Sequence, residues 1–222
     1  MLQTIRYFLP LCAAVTLFSC KSDLKNKGAD VSSKPDTIQL LPVPKEGAVN
    51  YKVTTGMVTW EGKKFVGDGH KGTITVEKGT LSVNQNKLIQ GTITLDMTSI
   101  AVSDIEDAGE RRDLESHLKD ADFFEADKYP KAEFVIREVL PSNAPAYNWL
   151  IVGDLTMKGK TNAVNIPVKM TLEGNKLRAE STVFPITRTQ WGVNFRSGLL
   201  GTPKDKLIDD VVLLRLTLEA EQ

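Results

Sequence analysis

Cysteine and histidine are scarce in this 222-residue chain, with two of each, and its 28 basic residues are cancelled by 28 acidic ones. Each scarcity removes a class of function. Cys20 is the last cysteine, so a chain cut near that point has no second thiol with which to close an internal disulfide. There is no Cys-x-x-Cys, His-x₃-His or His-Glu-x-x-His pattern, and His70 and His117 stand far apart in sequence, so no dedicated zinc set is legible. Balanced charge gives no basic field for nucleic acid. The first apolar run, Tyr7 to Phe18, falls short of the ~20 residues that a membrane-spanning helix needs.

That run is informative for what surrounds it. Arg6 precedes it, and Leu17-Phe18-Ser19-Cys20 closes it. A short apolar stretch behind a basic residue reads as a secretory signal over residues 1–19. The closing tetrad resembles the lipobox of bacterial lipoproteins, which makes Cys20 the expected acylation site; the alternative is a plain signal with an incidental cysteine. Residues 20–48 are polar, proline-bearing and without helical or strand period, and are expected to form a flexible tether spanning roughly 30 Å as a random coil. The expected setting is the bacterial cell envelope, with the chain held at a membrane surface through Cys20 and facing the periplasm or the outside.

From Val49 onward the dominant period is two. Val164, Ile166, Val168, Met170 and Leu172 alternate with polar neighbours, as do Val212, Leu214, Leu216, Leu218 and Ala220, and Ile93, Leu95 and Met97. Runs at 51–60, 71–78, 132–140, 148–158 and 177–184 bring the strands to about eight. Glu77-Lys78-Gly79, Met157-Lys158-Gly159-Lys160 and Glu173-Gly174-Asn175-Lys176 read as turns. Pro167 lacks an N–H, so its strand is expected at an edge or bulged there. Between strands, Ser103 and Glu106 form a capping-box pattern ahead of a helix expected over 104–119. The pattern predicts an all-β domain over 49–222, either a closed antiparallel barrel or a sandwich, with a short helical insertion.

Four ordered blocks then carry a family resemblance: HLKDADFFEADKYPKAEF (117–134), GDLTMKGKTNAVNIPVKM (153–170), FPITRTQWGVNFRSG (184–198) and KLIDDVVLLRLTLEA (206–220). Together they resemble the YceI-like family. One departure stands at the first strands, where VTWEGKKFVGDGHKGTITV (58–76) replaces the F-x-(V/I)-x-H opening of many members. The resemblance implies an eight-stranded, lipocalin-like antiparallel barrel that holds an isoprenoid-type or other amphipathic lipid in a long apolar cavity, without catalysis or cofactor.

The residues expected to touch such a lipid are Trp60, Phe65, Met97, His117, Phe123, Phe124, Phe134, Met157, Met170, Arg188, Trp191 and Phe195, with Trp149 a further apolar candidate for the wall. Phe123 and Phe124 are adjacent, so one can plug the barrel end while the other covers the core. Tyr129-Pro130 forces an extended entry to the next strand. His117 has three readings: an oxygen-rich metal site with Asp120, Asp122, Glu125 or Asp127; a hydrogen bond at the helix end; or contact with a ligand headgroup. Ser116 does not make a nucleophile–base pair with it, because consecutive helical side chains diverge. Arg188 either meets a lipid phosphate beside Trp191 or bridges a carboxylate such as Asp122 or Asp127. The competing functions are a hydrolase or metal-dependent enzyme using His117, His70 and nearby acids, and a filled barrel acting as a protein-interaction module.

Overall fold

A computed structural model describes residues 46–198 and 201–222. The signal over 1–19, Cys20 and nearly all of the tether therefore lie outside the described residues. Among the described residues, no helix is long and apolar enough to cross a membrane.

Nine strands build the domain: β1 (Val49–Lys64), β2 (His70–Asn84), β3 (Lys87–Val102), β4 (Lys131–Pro141), β5 (Trp149–Met157), β6 (Lys160–Glu173), β7 (Lys176–Ser181), β8 (Phe184–Thr187) and β9 (Ile208–Glu221). One helix, α1 (Ala108–Lys119), interrupts them between β3 and β4. All pairings are antiparallel, and β1 pairs with β9 to close the sheet. The seventh and eighth strands are two pieces of one staff, since both pair with β9: Glu180 opposite Thr217, then Phe184 opposite Leu214. The offset at the break is patched by a side chain. The Leu216 N–H donates to the buried Ser181 Oγ at 2.8 Å, where a backbone carbonyl would otherwise accept it. The result is an eight-staved closed barrel, the architecture that the family resemblance implied.

Local chemistry sets the turns. Gln85 and Asn86 both have positive φ (49° and 61°), as do Lys158 and Gly159 (49° and 72°), so two-residue turns join β2 to β3 and β5 to β6 with a twist that suits the flanking strands. Glu77-Lys78-Gly79 is no turn. β2 runs straight through it, with a register shift against β3 between Val76 and Lys78, and the glycine serves close packing: a Cβ there would stand 2.7 Å from Val53 Cγ2. Pro167 is likewise not on an edge strand, because β6 lies between β5 and β7. Its carbonyl accepts the Thr182 N–H (2.9 Å) just beyond Val168–Ser181, where the β6–β7 ladder ends, so no regular ladder bond lacks its donor.

The helix also starts later than expected. Asp107 is its N-cap, with Oδ1 accepting from the N–H groups of Gly109 (2.8 Å) and Glu110 (2.9 Å). Those two bonds, with Arg111 nearby, hold the Asp107 carboxyl below its usual range. Ser103 instead binds back to the barrel, its N–H donating to the Lys71 carbonyl at 2.9 Å.

The strand connections divide the barrel's two ends. The turns 84–87 and 173–176, the 141–149 connection, and the strand ends at Val49 and Glu221 lie at one; the β1–β2 loop, α1, the β5–β6 turn and the segment 188–207 lie at the other.

Candidate functional site

The second end holds an apolar cavity of ≈ 150 Å³. Strands β1 to β5, β8 and β9 contribute inward residues, among them Val58 and Trp60 from β1, Leu95 and Met97 from β3, and Leu155 and Met157 from β5. Leu114 and Leu118 of α1, with Phe123 and Phe124 of the following loop, form its roof. Lys63 and Lys64 are the exposed members of the lining and mark its mouth.

The cavity is shorter than the long chamber expected. One inward step below Leu95 and Ala132 stand Ile93 and Phe134, with Leu155 opposite Phe134 and Gly153 one step further on β5. The Phe134 ring lies over Gly153, where a Cβ would be 2.3 Å from Phe134 Cζ. Beneath that floor the interior is packed with buried side chains such as Leu81, Ile136 and Leu177.

Six of the twelve expected contact residues line this space: Trp60, Met97, Phe123, Phe124, Met157 and Arg188. The others are placed otherwise. Phe134 is the floor, and Met170 belongs to the packed core. Trp191 is 1% exposed and donates from Nε1 to the Leu155 carbonyl at 2.9 Å, bracing a strand from behind the wall. Trp149 is half-buried at the far end. Phe65 is 64% exposed on the β1–β2 loop, which corrects its expected place in the wall. The lining that composition did not single out is the plain aliphatic set, including Ile74, Ile100 and Val212. Val212 belongs to an alternating run, but an inward leucine or valine looks the same in sequence whether it meets a neighbour or a void.

The roof is firmly held. Glu115 Oε1 accepts the Val102 N–H (2.9 Å), tying α1 to β3. Lys158 Nζ donates to the carbonyls of Phe123 (2.7 Å) and Ala121 (3.2 Å) and lies 3.7 Å from Glu125. His117 sits edge-on against Phe123 and Phe195, with ring centroids 5.0 and 4.9 Å away, and its Nε2 meets Asp122 Oδ2 at 3.1 Å. His117, Asp120 and Asp122 can bring ligand atoms within 4.8 Å of one another, yet both acids are exposed, and Asp120 Oδ1 already accepts the Asp122 N–H. In the structure His117 thus makes a hydrogen bond just past the helix end. Beside the Lys63–Lys64 edge of the mouth, His70 Nδ1 meets Asp104 Oδ2 at 3.2 Å and so joins the barrel rim to the strand–helix connection.

Arg188, 3% exposed, is committed on every nitrogen. Nε donates to the Asp209 carbonyl (3.0 Å), Nη1 to Val193 (2.8 Å) and Nη2 to Ile208 (3.1 Å), with Asp210 Oδ1 3.0 Å from Nη2. Burial pushes its pKa down, and the charges of Asp210 and Asp209 push back. The carboxylate partner is thus Asp210, not Asp122 or Asp127. Arg188 knits the segment after β8 to the start of β9.

A closed, eight-staved barrel with a roofed apolar cavity at one end defines a lipocalin-like binding fold. The YceI-like domain model matches residues 49–220, and the chain belongs to that family. The UPF0312 protein of Staphylococcus aureus strain USA300 is 34% identical over 107 residues, which cover 46% of this chain and 57% of that protein, so the match spans little more than half the length of the curated relative. Among solved structures, Burkholderia cenocepacia BcnA superposes with a TM-score of 0.57 at 23% identity, covering 74% of this chain and 96% of that one. A polyisoprenoid binding domain from Saccharophagus degradans, implicated in plant cell wall breakdown, gives 0.52 at 12% identity over 77% and 97%. These two likenesses are likenesses of fold.

Proposed function

We propose that this chain is a non-enzymatic carrier that takes the apolar part of an isoprenoid-type or other amphipathic lipid into the roofed end of its barrel, at the surface of a bacterial membrane. The observation that carries the reading is the cavity itself: inward aliphatic, methionine and phenylalanine side chains around ≈ 150 Å³, with the Arg188 nitrogens in the inner wall already engaged. A void of about this size with such a lining stays dry and accepts a benzene-sized guest. It suits a ring or a branched five-carbon unit, and each Å² of apolar surface withdrawn from water there contributes roughly 25 cal/mol. Trp60, whose ring lines the space, keeps a buried indole N–H with no acceptor among the described residues, which favours a guest that also carries an oxygen.

Binding of a polyisoprenoid by the Saccharophagus degradans domain, as its description states, supports the same ligand class. Export and anchoring rest on the sequence alone, on the apolar run ending in Leu17-Phe18-Ser19-Cys20. Native mass spectrometry of gently purified protein tests the reading: a co-purifying mass that extracts into organic solvent is expected. A stoichiometric metal in its place would favour the enzyme reading, and a clean apoprotein that takes up no lipid would favour the interaction module.

A further inference from the structure

The two most exposed large apolar side chains among the described residues are neighbours in sequence: Phe65, 64% exposed, and Val66, 59% exposed. They stand on the loop between Lys64, the end of β1, and His70, the start of β2. Both flanks of that loop, through Lys63, Lys64, Gly69 and His70, line the cavity. The apolar tip and the cavity mouth are therefore one continuous surface.

The tip is also presented by an ordered backbone. Phe65 N–H donates to the Leu207 carbonyl at 2.9 Å, and Lys64 pairs with Ile208. This brings the loop beside the short 3₁₀ turn Lys204–Lys206. Lys64, Lys204 and Lys206 are exposed and form no ion pair among the described residues, while Lys63 is engaged by Glu61 at 3.0 Å. Asp68 and Asp205 offset part of this charge, so apolar contact must lead and the lysines add to it. A phenylalanine and a valine ringed by long-stemmed ammonium groups match the depth profile of a bilayer interface, where the stem follows the apolar body down and the charge stays with the phosphates. Placing two large apolar side chains in water-exposed positions has no evident return for the barrel itself, since neither packs in its core.

We propose that the β1–β2 loop docks the domain on a phospholipid bilayer, with Phe65 and Val66 inserted among the acyl chains and Lys64, Lys204 and Lys206 on the phosphates. The mouth then faces hydrocarbon, and a lipid passes between leaflet and cavity without crossing water. The route rests on the carrier reading; the docking itself does not.

The test uses the full chain carrying Cys20→Ser with a Phe65→Trp substitution, mixed with vesicles of phosphatidylcholine and phosphatidylglycerol. The added indole should emit at shorter wavelength on mixing and be quenched by lipids brominated on their acyl chains. A Val183→Trp control, at the exposed break between β7 and β8, should do neither. Replacing Lys64, Lys204 and Lys206 by Glu should weaken vesicle engagement at the position-65 reporter by roughly fivefold or more per lysine on anionic vesicles. Unshifted, unquenched emission from the Phe65→Trp chain overturns the proposal, as does equal quenching at position 183. A short, water-soluble prenyl alcohol separates the two readings: Phe65→Ser/Val66→Ser should take it up like the parent while losing vesicle contact. If the parent takes up none yet the position-65 reporter is quenched, docking stands and the carrier reading fails.

Discussion

Phe134 decides how deep the cavity is. It stands one inward step below Ala132, opposite Ile93 and Leu155, and its ring lies against Gly153, so the space ends where that ring begins. Phe134→Ala should cost about 3–5 kcal/mol in unfolding free energy, the usual cost of emptying a buried aromatic site. It should also move the preferred length in a series of prenyl alcohols upward by about one five-carbon unit, because the vacated volume is about that of such a unit. Denaturant unfolding and the binding series measure the two effects separately. Arg188 belongs to the same scale with the opposite role. Since its donors serve Asp209, Val193, Ile208 and Asp210, Arg188→Ala leaves a half-buried carboxylate and three carbonyls without their partner, and should destabilise the domain by about 3 kcal/mol. Lysine cannot rebuild a three-way fork, so Arg188→Lys should recover little of that loss. Any loss of affinity should be equal for a prenyl phosphate and the matching alcohol; a selective loss for the phosphate would show that the guanidinium leaves its partners to meet the ligand.

At the scale of the element, the roof is the part whose stability can be tuned without touching the wall. Asp107 caps α1 through two backbone N–H groups, which favour its ionised form and lower its pKa. A lowered carboxyl pKa contributes stability above the unfolded value, and that contribution is lost as pH falls through the lower, folded value. Asp107→Ala should therefore lower the melting temperature at neutral pH, with the difference from the parent shrinking in acid below the ordinary carboxylate range; thermal melts across pH check this. Much of this level was legible in sequence. The alternation around Val164–Leu172 and Val212–Ala220 marks strands because those faces meet the core, and Met157-Lys158-Gly159-Lys160 marks a turn because Gly159 takes positive φ. The misreadings share one cause. Gly79, Pro167 and Ser103 are local punctuation marks whose meaning here is set by partners distant in sequence: Val53 beside Gly79, Thr182 on the Pro167 carbonyl, and Lys71 holding Ser103. For the site, sequence found the aromatic and methionine lining but not the aliphatic majority, and it named Phe65 for the wall because an apolar side chain near a strand does not show where that strand stops.

On the scale of the whole molecule, the barrel separates support from access. Deep layers from Phe134 downward are filled and hold the fold, while the roofed end keeps its void and carries the exposed Phe65 and Val66 beside the mouth. Val49 and Glu221, where the strands begin and end, lie at the packed end, away from that mouth. On the proposed carrier reading, one end of a lipid enters the cavity and the remainder stays near the opening. The most direct test compares the parent with Ala132→Phe, a substitution that fills the cavity from a buried position in its own wall. Isothermal titration with a short prenyl alcohol should give one site in the parent, with the negative heat-capacity change of apolar burial. The site should disappear in the filled variant while its circular dichroism stays that of a β-barrel. Equal binding by the folded variant, or no binding by the parent, would contradict a lipid seated in this cavity.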